Sequence, residues 1–127
     1  MKTQRQITGR KGEDEACFYL MGLGMTILKR NSRHSHLETD IIALAADGLH
    51  FVEVKTVTAP YLSRPELKVN YQKRSRMIRA AGAWLLSEER KDLPADIEVF
   101  LDVITVVFDG RTRRIEYFPD AFTRSVL

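Results

Sequence analysis

The chain has 127 residues, 44% of them hydrophobic, a size and balance that suit one compact domain over residues 1–127 rather than two cores or a long disordered tail. Its formal charge is +3 with a pI near 9.2, a mild basic excess that is compatible with nucleic acid. A lone cysteine, Cys17, excludes an internal disulfide, no secretory leader pattern opens the sequence, and Lys or Arg interrupts every apolar run before membrane-helix length. The expectation is a soluble protein of a reducing cytoplasm with no membrane partner.

From about Arg10 to Met21 the apolar positions Ala16, Cys17 and Leu20 recur at helical spacing, and Gly22 with Gly24 ends the pattern. Met25 to Leu28 is short, apolar and partly β-branched, so it reads as a first strand running into an irregular polar stretch from Arg30 to His36. Asp40 to Ala46 and Leu49 to Val57 are strand-like and flank Asp47-Gly48, a dipeptide suited to a tight hairpin turn. Pro60 and Pro65 mark the segment from Thr58 to Glu66 as a loop. A second helix is predicted from about Leu67 to Glu89, with Met77, Ala80, Ala81, Trp84 and Leu85 facing inward. Asp96 to Phe108 is β-type, Asp109-Gly110 is a turn, and Arg114 to Phe118 is a short returning strand. The order αβββαββ predicts an α/β fold, a mixed central sheet flanked by helices, because only that arrangement buries both sets of apolar faces.

The chemistry concentrates on the hairpin. If Asp47-Gly48 forms the turn, Ala46 pairs with Leu49 and Asp40 stands opposite Lys55. Side chains two apart share a face, so Asp40 lies with Glu53 and Lys55 on one side, while Ile41, Ala43, Val52 and Val54 occupy the other. Both faces are largely apolar, which places these charges inside the sheet. The bland reading is a cross-hairpin salt bridge between Asp40 and Lys55; the chemical one is that paired carboxylates hold a divalent cation. Oxygen ligands suit Mg²⁺ or Mn²⁺, and the lack of a Cys or His cluster argues against zinc. His34, His36 and His50 read as surface or loop residues. The inward stripe of the first helix extends back to Glu13 and that of the second to Lys73, so both helices begin their buried faces with a charge aimed at the hairpin. The basic run Arg64, Lys68, Lys73, Arg74, Arg76 and Arg79 faces the single acid Glu66. Its solvated-face reading competes with phosphate contact through Arg64, Lys68, Lys73, Arg74 and Arg76, with Tyr61 on the preceding loop.

Asp40 followed by Glu53-Val54-Lys55 resembles the PD-(D/E)xK nuclease superfamily, without the motif's proline, since Thr39 precedes Asp40. Gly9-x-x-Gly12-Glu13-x-x-Ala16, Leu20, Gly24, Arg30-Asn31, Glu38-x-Asp40-Ile41-Ile42-Ala43, Phe51 to Lys55, Val69 with Lys73, and Asp102-Val103 resemble the YraN-like bacterial family over nearly the whole chain. Near Val57 and Phe100 the family pattern leads one to expect arginines, and this sequence has apolar residues. The resemblance implies a restriction-endonuclease-like core, similar to Holliday junction resolvases. It also implies that Glu13, Asp40 and Glu53 bind Mg²⁺, that the Val54 carbonyl adds a ligand, and that Lys55 orients or activates the attacking water.

The leading expectation is therefore metal-dependent endonucleolytic hydrolysis of DNA, with branched or structured DNA as one candidate substrate. The missing arginines motivate an alternative, a catalytically inactive nucleic-acid-binding module on the same fold. A third reading is a protein-interaction domain whose acids and lysine form a closed salt-bridge network. A homodimer would suit a two-fold substrate, although no sequence feature demands one.

Overall fold

The computed structural model describes residues 1–60 and 71–122. Helix α1 (Gln4–Gly22) is followed by strands β1 (Thr26–His34), β2 (Leu37–Ala45) and β3 (Gly48–Thr58). Helix α2 (Tyr71–Leu85), a short 3-10 turn at Glu88–Arg90, and strands β4 (Val99–Asp109) and β5 (Thr112–Phe118) complete it. The five strands form one sheet in sequence order, with β3 and β4 parallel and the other neighbours antiparallel. A parallel neighbour needs a crossover, and the connection carrying α2 supplies it. The expected mixed α/β architecture and the order αβββαββ are present. No helix of the described residues is long and apolar enough to cross a membrane.

The helices cover opposite faces. Ala16, Cys17 and Leu20 of α1 pack on Ile41, Ala43, Val52, Ile104 and Val106, whereas Ala81 and Trp84 of α2 pack on Ile42, Leu49 and Phe51. Strand alternation makes this division: Ile41 and Ile42 point to opposite sides, and each meets a different helix. Gly12 allows α1 to sit close to β3, because a Cβ there would collide with the Thr56 side chain.

Several boundaries depart from expectation. Helix α1 begins at Gln4 because Thr3 and Gln6 form a capping box: Thr3 Oγ1 accepts the Gln6 N–H at 3.1 Å, and Gln6 Oε1 accepts the Thr3 N–H at 2.9 Å. The polar stretch after Leu28 is not irregular but completes β1, an edge strand whose composition reflects exposure. Helix α2 ends at Leu85 rather than Glu89, where the Ser87 hydroxyl donates to the Trp84 carbonyl at 2.7 Å and accepts the Glu89 N–H. Its expected start at Leu67 lies outside the described residues.

The hairpin register also differs. Ala45 pairs with Gly48, and Ile41 with Val52, so the turn is Ala46-Asp47 and Gly48 is already in the strand. Gly48 has φ +147°, and a Cβ on it would lie 2.5 Å from the Glu98 carbonyl. The glycine serves close approach to the chain entering β4 rather than the turn itself. Because the register differs by two residues, the faces survive: Asp40, Ile42, Phe51, Glu53 and Lys55 still alternate to one side. Asp40 is now level with Glu53 instead of Lys55.

Candidate functional site

The site begins where the sheet splits. The β2–β3 ladder runs from Ala45↔Gly48 to Ile41↔Val52, whereas β3 continues beside β4 as far as Thr58. At the point of divergence Asp40 Oδ2 accepts the Val54 N–H at 2.8 Å, so a carboxylate stands in for a ladder carbonyl. Asp40 is thereby held at the fork, and it borders space on both faces of the sheet. On the α2 side it lines a cavity of about 180 Å³ with Glu38, Glu53, His36, Lys73 and Arg76. On the α1 side it lines a groove with Glu13, Val54, Thr56, Arg5 and Thr8.

Of the residues singled out in the sequence, Asp40, Glu53, Lys73 and Arg76 meet in the first cavity. Lys73 Nζ lies 2.9 Å from Glu53 Oε2. Glu13 does not close over the same face as Lys73, as the two helical stripes suggested; it reaches the fork from the other side. Its Oε1 is cut off from solvent, makes no hydrogen bond, and lies 3.7 Å from Arg30, whose guanidinium is 2.8 Å from Asp14. Lys55 is half-buried beside Thr105, two residues beyond the level of Asp40. Arg74 is half-buried on the same turn as Lys73 but outside the cavity wall. Tyr61, Arg64 and Lys68 lie outside the described residues.

Three acids crowd Asp40, and its protonation shows it. Burial raises its pKa most, the Val54 N–H opposes this, and the charges of Glu13, Glu53 and Glu38 add to the rise, pushing it up to about 6. A carboxylate cluster at the fork, with one Glu13 oxygen buried and making no hydrogen bond, is chemistry that a hard divalent cation suits. Among the described residues no group of three Asp, Glu, His or Cys side chains is placed to hold a metal ion by itself. An ion at Asp40 would need water, backbone or phosphate oxygens for its remaining ligands.

A second polar cluster escaped the sequence reading. His50 is buried, not a surface or loop residue, with Nδ1 2.6 Å from Asp102 Oδ2 and Nε2 2.8 Å from Asp47 Oδ1. Its ring stacks on Phe100 at a centroid distance of 4.7 Å. Asp102 is fully buried and also accepts the Tyr117 hydroxyl at 2.5 Å and the Asp120 N–H at 2.8 Å. Burial pulls the His50 pKa down, but hydrogen bonds to Asp102 and Asp47 outweigh it, and the net shift is upward. The only sequence signal was the Asp102-Val103 pair, and it carried no hint of His50.

Comparison with known proteins covers this geometry. The model of the uncharacterised protein family UPF0102 matches residues 12–106, a span that includes Glu13, Asp40, Glu53, Lys55, Lys73 and Asp102. A UPF0102 protein of Nitratidesulfovibrio vulgaris (strain DP4) is 42% identical over 122 residues, covering 96% of this chain and 88% of its own. A UPF0102 protein of Bacteroides thetaiotaomicron is 37% identical over 114 residues, covering 90% of each chain. One from Oleidesulfovibrio alaskensis is 47% identical over 103 residues, 81% of this chain and 49% of its own. The chain belongs to the uncharacterised protein family UPF0102, the YraN-like bacterial family that its motifs resemble.

Proposed function

We propose that this protein is a metal-dependent endonuclease that hydrolyses DNA phosphodiester bonds on a restriction-endonuclease-like core. The observation that carries the reading is Asp40, fixed at the fork by the Val54 N–H and surrounded by Glu13, Glu53 and Glu38 with its pKa raised to about 6. Asp40 and the Val54 carbonyl would hold Mg²⁺ or Mn²⁺, together with Glu53 on the α2 side or Glu13 on the α1 side. The chemistry such an ion supplies is polarisation of a phosphoryl oxygen and acidification of water. Lys55, on the Glu53 side of β3, stabilises the negative charge that develops on the phosphate or orients the attacking water. Lys73 and Arg76 position the phosphate from α2, as cations on a cavity wall can.

A panel of linear duplex, flapped, single-stranded and four-way-junction DNA, each incubated with Mg²⁺ or Mn²⁺, tests this. Wild-type protein is expected to cleave at least one of them and Asp40→Ala none, with both proteins giving the same folded circular dichroism spectrum. Cleavage retained in Asp40→Ala sinks the assignment.

A second reading has its own support. Lys73 Nζ at 2.9 Å from Glu53 supplies an internal cation to one of the acids, as a non-catalytic nucleic-acid-binding module would. Binding with a steep salt dependence, no response to Mg²⁺ and no cleavage would favour that reading.

A further inference from the structure

Helix α1 begins against its own dipole. A helix N-terminus favours acids, yet Lys2, Arg5, Arg10 and Lys11 precede any acid in the chain, and Glu13 is the first. Among the described residues Lys2, Arg5 and Arg10 are exposed and form no ion pair. They flank two grooves. One is lined by Lys2, Gln6, Gly9, Arg10, Glu13 and Arg30, and the other by Arg5, Thr8, Gly9, Glu13, Asp40 and Val54. The grooves share two residues, Gly9 and Glu13, so they meet on α1 beside the fork.

Among the described residues nothing packs against Gly9 closely enough to require a glycine. Gly12, one turn on, is needed for contact with Thr56, but a Cβ on Gly9 would meet nothing within 4 Å. Glycine in a helix interior is less stable than alanine there. Open space alone does not distinguish it, because Gly82 in α2 has it too. What distinguishes Gly9 is its place on the saddle between two cation-lined grooves, where a side chain would stand in the path of anything passing from one to the other.

We infer that one nucleic-acid strand lies across the first half of α1, with its phosphate backbone passing over Gly9 between Arg10 and Arg5 toward Asp40. This rests on the reading of the protein as one that binds nucleic acid, and it identifies a surface other than the basic run on α2. The cations neutralise phosphates, the bare backbone at Gly9 admits the strand, and the groove ends on the carboxylates that would act on it.

The test is fluorescence anisotropy with a labelled 20-nucleotide single strand in EDTA over a salt series, so that binding is read without cleavage. The variants are Arg5→Gln with Arg10→Gln, Gly9→Leu, and Lys91→Gln as an exposed-cation control. The double variant should bind at least tenfold more weakly, with the slope of log K against log salt reduced by about 1.4, near 0.7 for each lost contact. Gly9→Leu should weaken binding by a similar factor while its melting temperature holds or rises, and Lys91→Gln should stay within twofold of wild type. If the α1 variants bind as tightly as wild type, the groove assignment is wrong and the fork chemistry is untouched. If they weaken binding yet wild type cleaves nothing with Mg²⁺, the groove stands and the nuclease reading falls. If wild type does not bind the strand at low salt, the groove assignment is overturned, and the cleavage panel alone decides the nuclease reading.

Discussion

Two polar clusters sit within a few residues of each other along β3, and their charge balance differs. Around His50 the donors and acceptors match: both ring nitrogens meet carboxylates, and Asp102 also takes the Tyr117 hydroxyl and the Asp120 N–H. Around Asp40 they do not. Among the described residues three further acids press on it and one backbone N–H answers it, while the cations nearby go to its neighbours, Lys73 to Glu53 and Arg30 to Glu13. A matched buried network fixes the β2–β3 turn and the end of β5 onto β4, and its return is structural uniqueness. An unmatched one weakens the native state unless something outside the chain completes it.

The largest expected effect tests the structural half of this contrast. Asp102→Ala removes the shared acceptor of three groups and leaves the buried His50 ring and the Tyr117 hydroxyl without their partner, a change that costs about 3–5 kcal/mol. Urea unfolding should show that loss. A loss under about 1 kcal/mol would mean that the cluster is incidental to stability and would break the contrast.

The sequence carried some of this and hid the rest for identifiable reasons. The stripes of Ala16, Cys17 and Leu20 and of Met77, Ala80, Ala81 and Trp84 are the buried faces of α1 and α2, because helical spacing records burial directly. Which side of the sheet each helix covers is not recorded in a stripe, so Glu13 and Lys73 were expected on one face and approach from two. Alternation kept Asp40 and Glu53 on the same side despite the mistaken register, since a difference of two residues preserves parity. The turn itself misled because Gly48 looks like a turn residue, and its need comes from Glu98, fifty residues away. Edge exposure disguised the second half of β1 as irregular chain. His50 was invisible because its partner Asp102 is distant in sequence, and a polar residue among apolar ones does not reveal whether it is satisfied.

The next effect tests the functional half. Asp40→Asn keeps an oxygen to accept the Val54 N–H but removes the crowded charge. Asp40 has a folded pKa of about 6 against 3.8 for the ordinary group, so the native state holds its proton more tightly than the unfolded chain does. The wild type is therefore relatively most stable below pH 4, loses that advantage as pH rises through 6, and is penalised above it. Asparagine has no such dependence. The variant should be more stable than wild type by about 2–3 kcal/mol at pH 8, with the gap closing toward pH 4, as paired denaturation curves would show. Under the metal reading, Mg²⁺ narrows the gap at pH 8 by stabilising the wild type alone. A variant that is less stable at pH 8 would show that the charge at the fork is already compensated within the chain.

The smallest effect separates the clusters by the cause of their pH response. The His50 pKa is raised, with burial opposing and the carboxylates of Asp102 and Asp47 prevailing. The stability contributed by its charge is thus fully present below the ordinary histidine value of about 6.5 and is lost as pH rises through the higher folded value. Asp47 is the weaker partner because its side chain is 61% exposed, so solvent screens it. Asp47→Asn should lower the His50 titration midpoint in an NMR pH series while costing no more than about 1 kcal/mol of stability. Both clusters then lose stability as pH rises, but for opposite reasons: His50 sheds a charge that its neighbours wanted, and Asp40 acquires one that its neighbours resist. A His50 midpoint at or below 6.5 in the wild type would mean that the imidazole is neutral in the folded protein at neutral pH, and the matched cluster would then be short of a proton.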